Sequence, residues 1–220
     1  MLPGAEATGQ RVRALGFEAV VAPLLAVRAV GDGPIDLSGV GAIAFTSVNG
    51  VEAFASRVAD RSRRVFSVGA ATAAAATSVG FANVVSSDGD VGALAAVITA
   101  HKHEIDGMVL HAAAAELTGD LSGAGVPVRR LTIYETVPAP VPDDVRAMIP
   151  ALYAVLVHSA KAARLLAAIL RETPAPASRV LCLSPAVATA ISGVAAGEIT
   201  AAALPNEEAL LNLLIDRGFQ

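Results

Sequence analysis

An α/β fold of two similar doubly wound parallel-sheet lobes, one of them discontinuous, follows from three features of this 220-residue chain. First, the middle and the end of the chain carry one pattern. Ala42-Ile43-Ala44-Phe45-Thr46-Ser47 is answered 112 residues later by Ala154-Val155-Leu156-Val157-His158-Ser159. Arg64-Val65-Phe66-Ser67-Val68-Gly69 is answered 115 residues later by Arg179-Val180-Leu181-Cys182-Leu183-Ser184, and residues 90–94 are answered 116 later by residues 206–210. Solenoid repeats run about 20–50 residues, so a period this long signals duplicated domains. Second, apolar strand-like runs alternate with helix-like runs of roughly 10–15 residues, the mark of parallel sheets. Third, Pro23 on one side and Pro138, Pro140 and Pro142 on the other bracket the first copy, which therefore reads as an insertion. The expected lobes are residues 1–25 plus 140–220, discontinuous, and 31–130, inserted. The chain crosses between the lobes twice, at residues 22–30 and 131–139, which would make a double-stranded hinge. Two such lobes make a cleft, and clefts between domains are where small ligands usually bind.

The elements follow in order. Residues 6–15 read as a helix closed by Gly16. Residues 19–26 read as a strand, and the proline inside it suggests an edge or a crossover. Gly31-Asp32-Gly33-Pro34 is a turn. Residues 42–45 are a buried strand, 49–59 a helix, 65–68 a strand, 70–78 a helix and 84–85 a short strand. Residues 92–100 then read as a helix, 107–111 as a strand, 117–124 as a helix with a glycine stop, and 129–136 as a strand. The second copy begins near Asp144.

Composition narrows the function. The net charge of −4 gives no basic face for nucleic acid. The single cysteine, Cys182, excludes an internal disulfide and reads as a small core residue. Nothing calls for an oxidising compartment, and no Cys/His cluster has zinc spacing. With 54% hydrophobic residues, a mean hydropathy of +0.60 and an uncharged run over residues 65–87, length alone permits a membrane span. Ala, Gly, Ser and Thr dominate that run, however, and Gly69, Gly80 and Asn83 fall where turns belong. Buried parallel strands produce such runs because helices cover both faces. No secretory segment is read at the start, so a cytoplasmic, monomeric protein is expected, with no membrane or nucleic-acid partner.

Phe45-Thr46-Ser47-Val48-Asn49-Gly50-Val51, Val68-Gly69 with Thr72, Ile133-Tyr134-Glu135-Thr136, Val157-His158-Ser159 and Leu183-Ser184-Pro185 together resemble the uroporphyrinogen-III synthase family. Each motif alone is weak. The FTSxNGV and (I/V)YET elements combined with the duplication are specific, and the likeness covers nearly the whole chain. The resemblance implies two doubly wound lobes on a two-stranded connector and a mobile hinge. It implies ring closure of hydroxymethylbilane with inversion of the last ring and loss of water, in tetrapyrrole synthesis, with no metal or organic cofactor. Three positions depart from the family pattern. Members usually begin with a strand ending in Thr-Arg-Pro, whereas this sequence opens Met1-Leu2-Pro3-Gly4. The loop after His111, often Gly- and Arg-bearing, reads Ala112 to Ala115 and Glu116. A common family threonine corresponds to Ala186 or Val187.

The implied substrate is a polycarboxylate, which a chain of net charge −4 must hold with local donors. Helix N-termini supply them, each worth about 0.3–1 kcal/mol to an anion at exposed sites. Ligands in open α/β sheets bind where the strands end. Thr46, Ser47 and Asn49, Gly69 with Thr72, His158 with Ser159, and Ser184 sit at four such turns, and His111 ends a further strand; these are the expected substrate-binding residues. Ser47, Ser159 and Ser184 are equally read as N-caps, a role compatible with binding. Departure of the terminal hydroxyl needs a proton. Tyr134 matches the family tyrosine and is the expected donor; its other reading is a packed linker tyrosine. Because the pyrrole nitrogen already drives that departure, the enzyme mainly positions the chain, and Tyr134→Phe is expected to slow turnover without abolishing it. His101-Lys102-His103-Glu104 lies between a helix and a strand and reads as ordinary polar surface rather than metal. No acid completes a hydrolase triad around His158-Ser159, and neither a dinucleotide fingerprint nor a P-loop is present. The alternatives are a degenerate synthase-like protein that binds without turnover and a two-lobed small-molecule binder.

Overall fold

In the computed structural model, residues 3–117 and 119–215 are described. The chain separates into two compact units, residues 1–26 with 138–220 and residues 27–137. Both are mixed α/β, and parallel pairing dominates their sheets.

The continuous unit is built on a six-stranded sheet. Its strands are β1 (Leu25–Ala29), β2 (Val40–Phe45), β3 (Arg64–Ser67), β4 (Val84–Ser86), β5 (Met108–Ala114) and β6 (Val128–Pro138), in the order β1-β6-β5-β2-β3-β4. Alternation along the central strands divides the core in two, because successive side chains leave opposite faces. Ile43, Phe45, Val65, Leu110 and Ala112 join one cluster with Val51 and Phe54 of α2 (Val48–Ala55) and Ala76 of α3 (Ala70–Ser78). Ala42, Ala44, Phe66 and Val109 join the other with Leu94 and Ile98 of α4 (Val91–Ala100). Helices on both faces are why the strands read as unbroken apolar runs. Gly41 sits where the β2–β5 register shifts, and a Cβ there would come within 2.3 Å of the Asp106 carbonyl oxygen, so only glycine fits.

The discontinuous unit carries a three-stranded sheet, β7 (Ala154–Val157), β8 (Arg179–Cys182) and β9 (Ile199–Ala201), in chain order. Val180 and Cys182 face Ala163, Leu166, Ala167 and Leu170 of α6 (Ala160–Glu172) and Val187 of α7 (Pro185–Ala190). Leu181 faces the opposite way, onto Val12 of α1 (Pro3–Ala14) and Leu210, Leu211 and Leu214 of α8 (Glu207–Ile215). A short α5 (Asp143–Met148) follows the proline-rich stretch.

Four expectations are corrected. The strand placed at 19–26 is β1 at Leu25–Ala29 instead. Pro23 offers no N–H for a ladder, so regular pairing starts beyond it. The helix expected over 117–124 is a single 3₁₀ turn, Ser122–Ala124, with residue 118 outside the described residues. Leu117, Gly119 and Asp120 lie in no helix; the Asp120 carboxylate accepts the backbone N–H of Ser122, the local bond by which aspartate favours turns. The segment Ala112–Ala114, read as loop, continues β5, pairing with Leu131, Thr132 and, after a register shift, Tyr134 of β6. Finally, α2 stops at Ala55 rather than residue 59; the Arg61 guanidinium donates to the Ala55 carbonyl, 3.1 Å away, and to that of Val79. No helix among the described residues is long and apolar enough to cross a membrane.

Candidate functional site

The C-terminal ends of β3, β2 and β5 share one edge of the six-stranded sheet, which the longer β6 passes at Tyr134. Parallel pairing sets Phe45 beside Ser67 and Ala112, and Ala114 beside Tyr134. Three groups of residues therefore converge there: Thr46-Ser47-Val48-Asn49 after β2, Val68-Gly69 after β3, and Tyr134 in β6. Ser47 is extended (φ −162°, ψ 159°) and caps α2, its Oγ accepting the Gly50 N–H at 3.1 Å. The same Oγ lies 2.6 Å from the Tyr134 hydroxyl. Tyr134 is otherwise buried, its ring part of the cluster with Phe45 and Ile133, so packing fixes where the hydroxyl points. Asn49 lies half-buried in the first turn of α2, and Thr72 is buried in the first turn of α3.

Gly69 starts α3 differently. It is extended (φ −166°, ψ 170°), supplies no side-chain cap, and a Cβ on it would meet nothing within 4 Å. Neither backbone strain nor crowding demands glycine here. The effect of having it is an α3 that starts without a side-chain cap, the condition under which a helix start takes an anion.

His111 stands apart from these residues. It lies inside β5, between Ala44 of β2 and Arg130 of β6, three residues short of the strand's end, and is fully buried. Neither ring nitrogen has a partner among the described residues. Burial, then the positive charge of Arg130, pushes the imidazole down to about 4 against the weaker pull of Asp120. It is a neutral core residue at neutral pH, and it does not join the strand-end group.

In the discontinuous unit, His158 and Ser159 follow β7 and Ser184 follows β8. Ser159 caps α6, its Oγ accepting the Ala162 N–H at 3.1 Å. Ser184 makes no such bond, leaving the start of the six-residue α7 without a side-chain cap. His158 Nε2 lies 3.0 Å from Glu207 Oε2, and the Thr8 hydroxyl donates to Glu207 Oε1 at 2.5 Å. Thr8 Oγ1 is also 3.4 Å from the same Nε2. Acid and hydroxyl thus share one ring nitrogen, whereas a hydrolase triad needs them on opposite nitrogens. Thr8 and Glu207 escaped sequence reasoning because they lie 150 and 49 residues from His158, with no local pattern to join them.

His101 and Glu104 pair at 2.8 Å, and Glu104 also meets Arg64 at 2.5 Å. That pairing, with the His101 ring against Phe66, accounts for the polar run between α4 and β5. Among the described residues no group of three or more His, Cys, Asp or Glu is placed to hold a metal ion.

A model of the family described as uroporphyrinogen-III synthase HemD matches residues 6–212. Among solved structures, the uroporphyrinogen-III synthetase of Helicobacter pylori superimposes with a TM-score of 0.62 at 14% identity, over 91% of this chain and 92% of that one. A mutant uroporphyrinogen III synthase of the extremely thermophilic bacterium Thermus thermophilus does so with a TM-score of 0.50 at 16% identity, over 98% and 95%. No curated protein sequence matches the chain. At these identities the two structures speak for a shared fold.

Proposed function

The chain belongs to the uroporphyrinogen-III synthase family, and on that premise we propose which of its residues carry the reaction. The activity is that of a cyclising lyase, closing hydroxymethylbilane to uroporphyrinogen III with inversion of the last ring and loss of water. One observation supports placing the chemistry at the strand-end edge of the continuous unit. There the hydroxyl of Tyr134 is brought within 2.6 Å of Ser47, on the same sheet edge as the uncapped start of α3 at Gly69.

In this reading Tyr134 is the catalytic residue and gives its proton to the departing hydroxyl. Thr46, Ser47, Asn49, Gly69 and Thr72 form the cradle beside it, and the backbone N–H groups after Gly69 receive a substrate carboxylate. His158, Ser159 and Ser184 hold other carboxylates from the discontinuous unit. Ser184, which makes no bond to its own helix, has the freer hydroxyl of the two serines. His111 belongs to the scaffold under β5 rather than to the cradle. The reading includes two doubly wound lobes on a two-stranded connector and a monomeric, cytoplasmic enzyme. The lone cysteine asks for no oxidising compartment.

The test is to incubate the purified chain with hydroxymethylbilane generated in situ, oxidise the products, and separate uroporphyrin I from uroporphyrin III by chromatography. Uncatalysed closure gives isomer I, as the family's chemistry implies. Predominant isomer III is expected. Isomer I alone, from protein with native circular dichroism, overturns turnover by this chain and leaves a binder.

A further inference from the structure

We propose that Ser47 is the positioning residue for Tyr134: its hydroxyl donates the hydrogen bond that the phenol oxygen receives when Tyr134 gives its own proton away. The inference rests on the reading of Tyr134 as proton donor and goes beyond it.

A serine hydroxyl has one proton and two lone pairs. The acceptor side of Ser47 Oγ is engaged by the Gly50 N–H, which fixes the oxygen at the start of α2. Its proton has one partner within reach among the described residues, the Tyr134 oxygen at 2.6 Å. The Tyr134 hydroxyl in turn has no other hydrogen-bond partner there. The pair therefore holds two protons and uses one of them between its oxygens, so one is free to leave. Once the phenol proton has left, the oxygen is an anion in a part-buried site, where an unmet charge is costly. The Ser47 O–H is the donor already in place, and a hydrogen bond to a charged oxygen is roughly twice as strong as one between neutral groups.

The step balances. The Tyr134 proton passes to the hydroxymethyl oxygen, the carbon–oxygen bond breaks, and water departs with the pyrrole nitrogen supplying the electron pair. The carbon left behind bonds first to the already substituted α-carbon of the last ring, which has no hydrogen to lose. The bond from that carbon to its old bridge then breaks, the neighbouring pyrrole nitrogen supplying the electron pair. The freed bridge carbon bonds to the ring's unsubstituted α-carbon, whose proton is shed and taken back by the phenolate oxygen. Ser47 loses no proton; its hydroxyl only turns toward the oxygen that needs it.

Ser47 also caps a helix, so the test must separate the two roles. Glycine is a good N-cap and costs only a few tenths of a kcal/mol in place of serine, whereas alanine costs about 1 kcal/mol. Ser47→Gly thus removes the hydroxyl while α2 keeps its start, and Ser47→Thr restores a hydroxyl that serves both purposes. Steady-state formation of isomer III from hydroxymethylbilane is measured for these two variants, for Tyr134→Phe and for Ser47→Gly/Tyr134→Phe, with a urea midpoint for each. Ser47→Gly is expected to lower kcat about tenfold with KM moved less than about twofold, because a donor that acts only as charge develops does not bind the ground state. Ser47→Thr should recover kcat to within about twofold, and the double variant should be no slower than Tyr134→Phe, since both changes strike one unit. Parental kcat in Ser47→Gly alongside a slow Tyr134→Phe, or a double variant slower than either single one by the product of their losses, overturns the role of Ser47 alone. Parental kcat in Tyr134→Phe overturns the proton-donor reading and this inference with it.

Discussion

Both ring nitrogens of His111 are buried without a hydrogen-bond partner among the described residues, an arrangement that costs on the order of 1–3 kcal/mol. It also ties stability to pH. A histidine ordinarily titrates near 6.5; burial in the sheet holds this one at about 4. Above pH 6.5 folded and unfolded chains both carry it neutral, and nothing is lost. As pH falls from 6.5 to 4 the unfolded chain takes up the proton and the folded chain does not, so stability declines; below 4 both are charged and the decline ends. A loss of order 2 kcal/mol is expected across that window. The depressed carboxylates, Asp36, Asp60, Glu104 and Asp120, add their own losses below their ordinary values near 4, beneath most of the histidine's range. Urea midpoints at pH 7.5 and 5 check it: His111→Leu should remove most of the difference between them, and an equal difference in both proteins contradicts the assignment. Sequence alone showed His111 at the end of a strand and so put it with the turns expected to bind substrate. That strand runs three residues further, and a run of alanines says nothing about which of them faces solvent.

Among the elements, four turns of similar sequence prove to be of two kinds. Ser47 and Ser159 bond their own helices, whereas Gly69 and Ser184 leave theirs uncapped. Ser159→Ala should therefore cost about 1 kcal/mol of stability and Ser184→Ala less than about 0.5 kcal/mol, read as urea midpoints on the two proteins. Equal costs would show that the bond between Ser159 and Ala162 contributes little. The order of strands and helices was legible because hydrophobic runs and turn residues record burial directly, and each central strand of the large sheet is covered on both faces. Whether a serine bonds its own helix was not, since a Ser at the first turn is written the same way in either case. Nor was the helix expected after Leu117: the run has helical composition, but Asp120 binds the Ser122 backbone and turns the chain instead. Tyr134 was visible only through a resemblance, and its contact with Ser47, across 87 residues, has no trace in local spacing.

At the scale of the molecule, each compact unit owns a core on both faces of its own sheet, and the chain passes from one unit to the other twice. The small unit's sheet is the slighter, with three strands of three or four residues. At the middle of that sheet, in β8, lies the chain's single cysteine, buried and with its thiol pushed up to about 11 by burial alone. A disulfide reagent at pH 8 finds almost no thiolate there while the sheet is closed, and an ordinary one as soon as it opens. Modification of Cys182 is expected to be far slower than that of a free thiol and to accelerate with urea. A rate matching free cysteine in native buffer contradicts the burial. The natural sequence thus already carries a stopwatch: one sulfur, placed in one of two units, that ticks each time its own sheet comes apart and stays silent about the other.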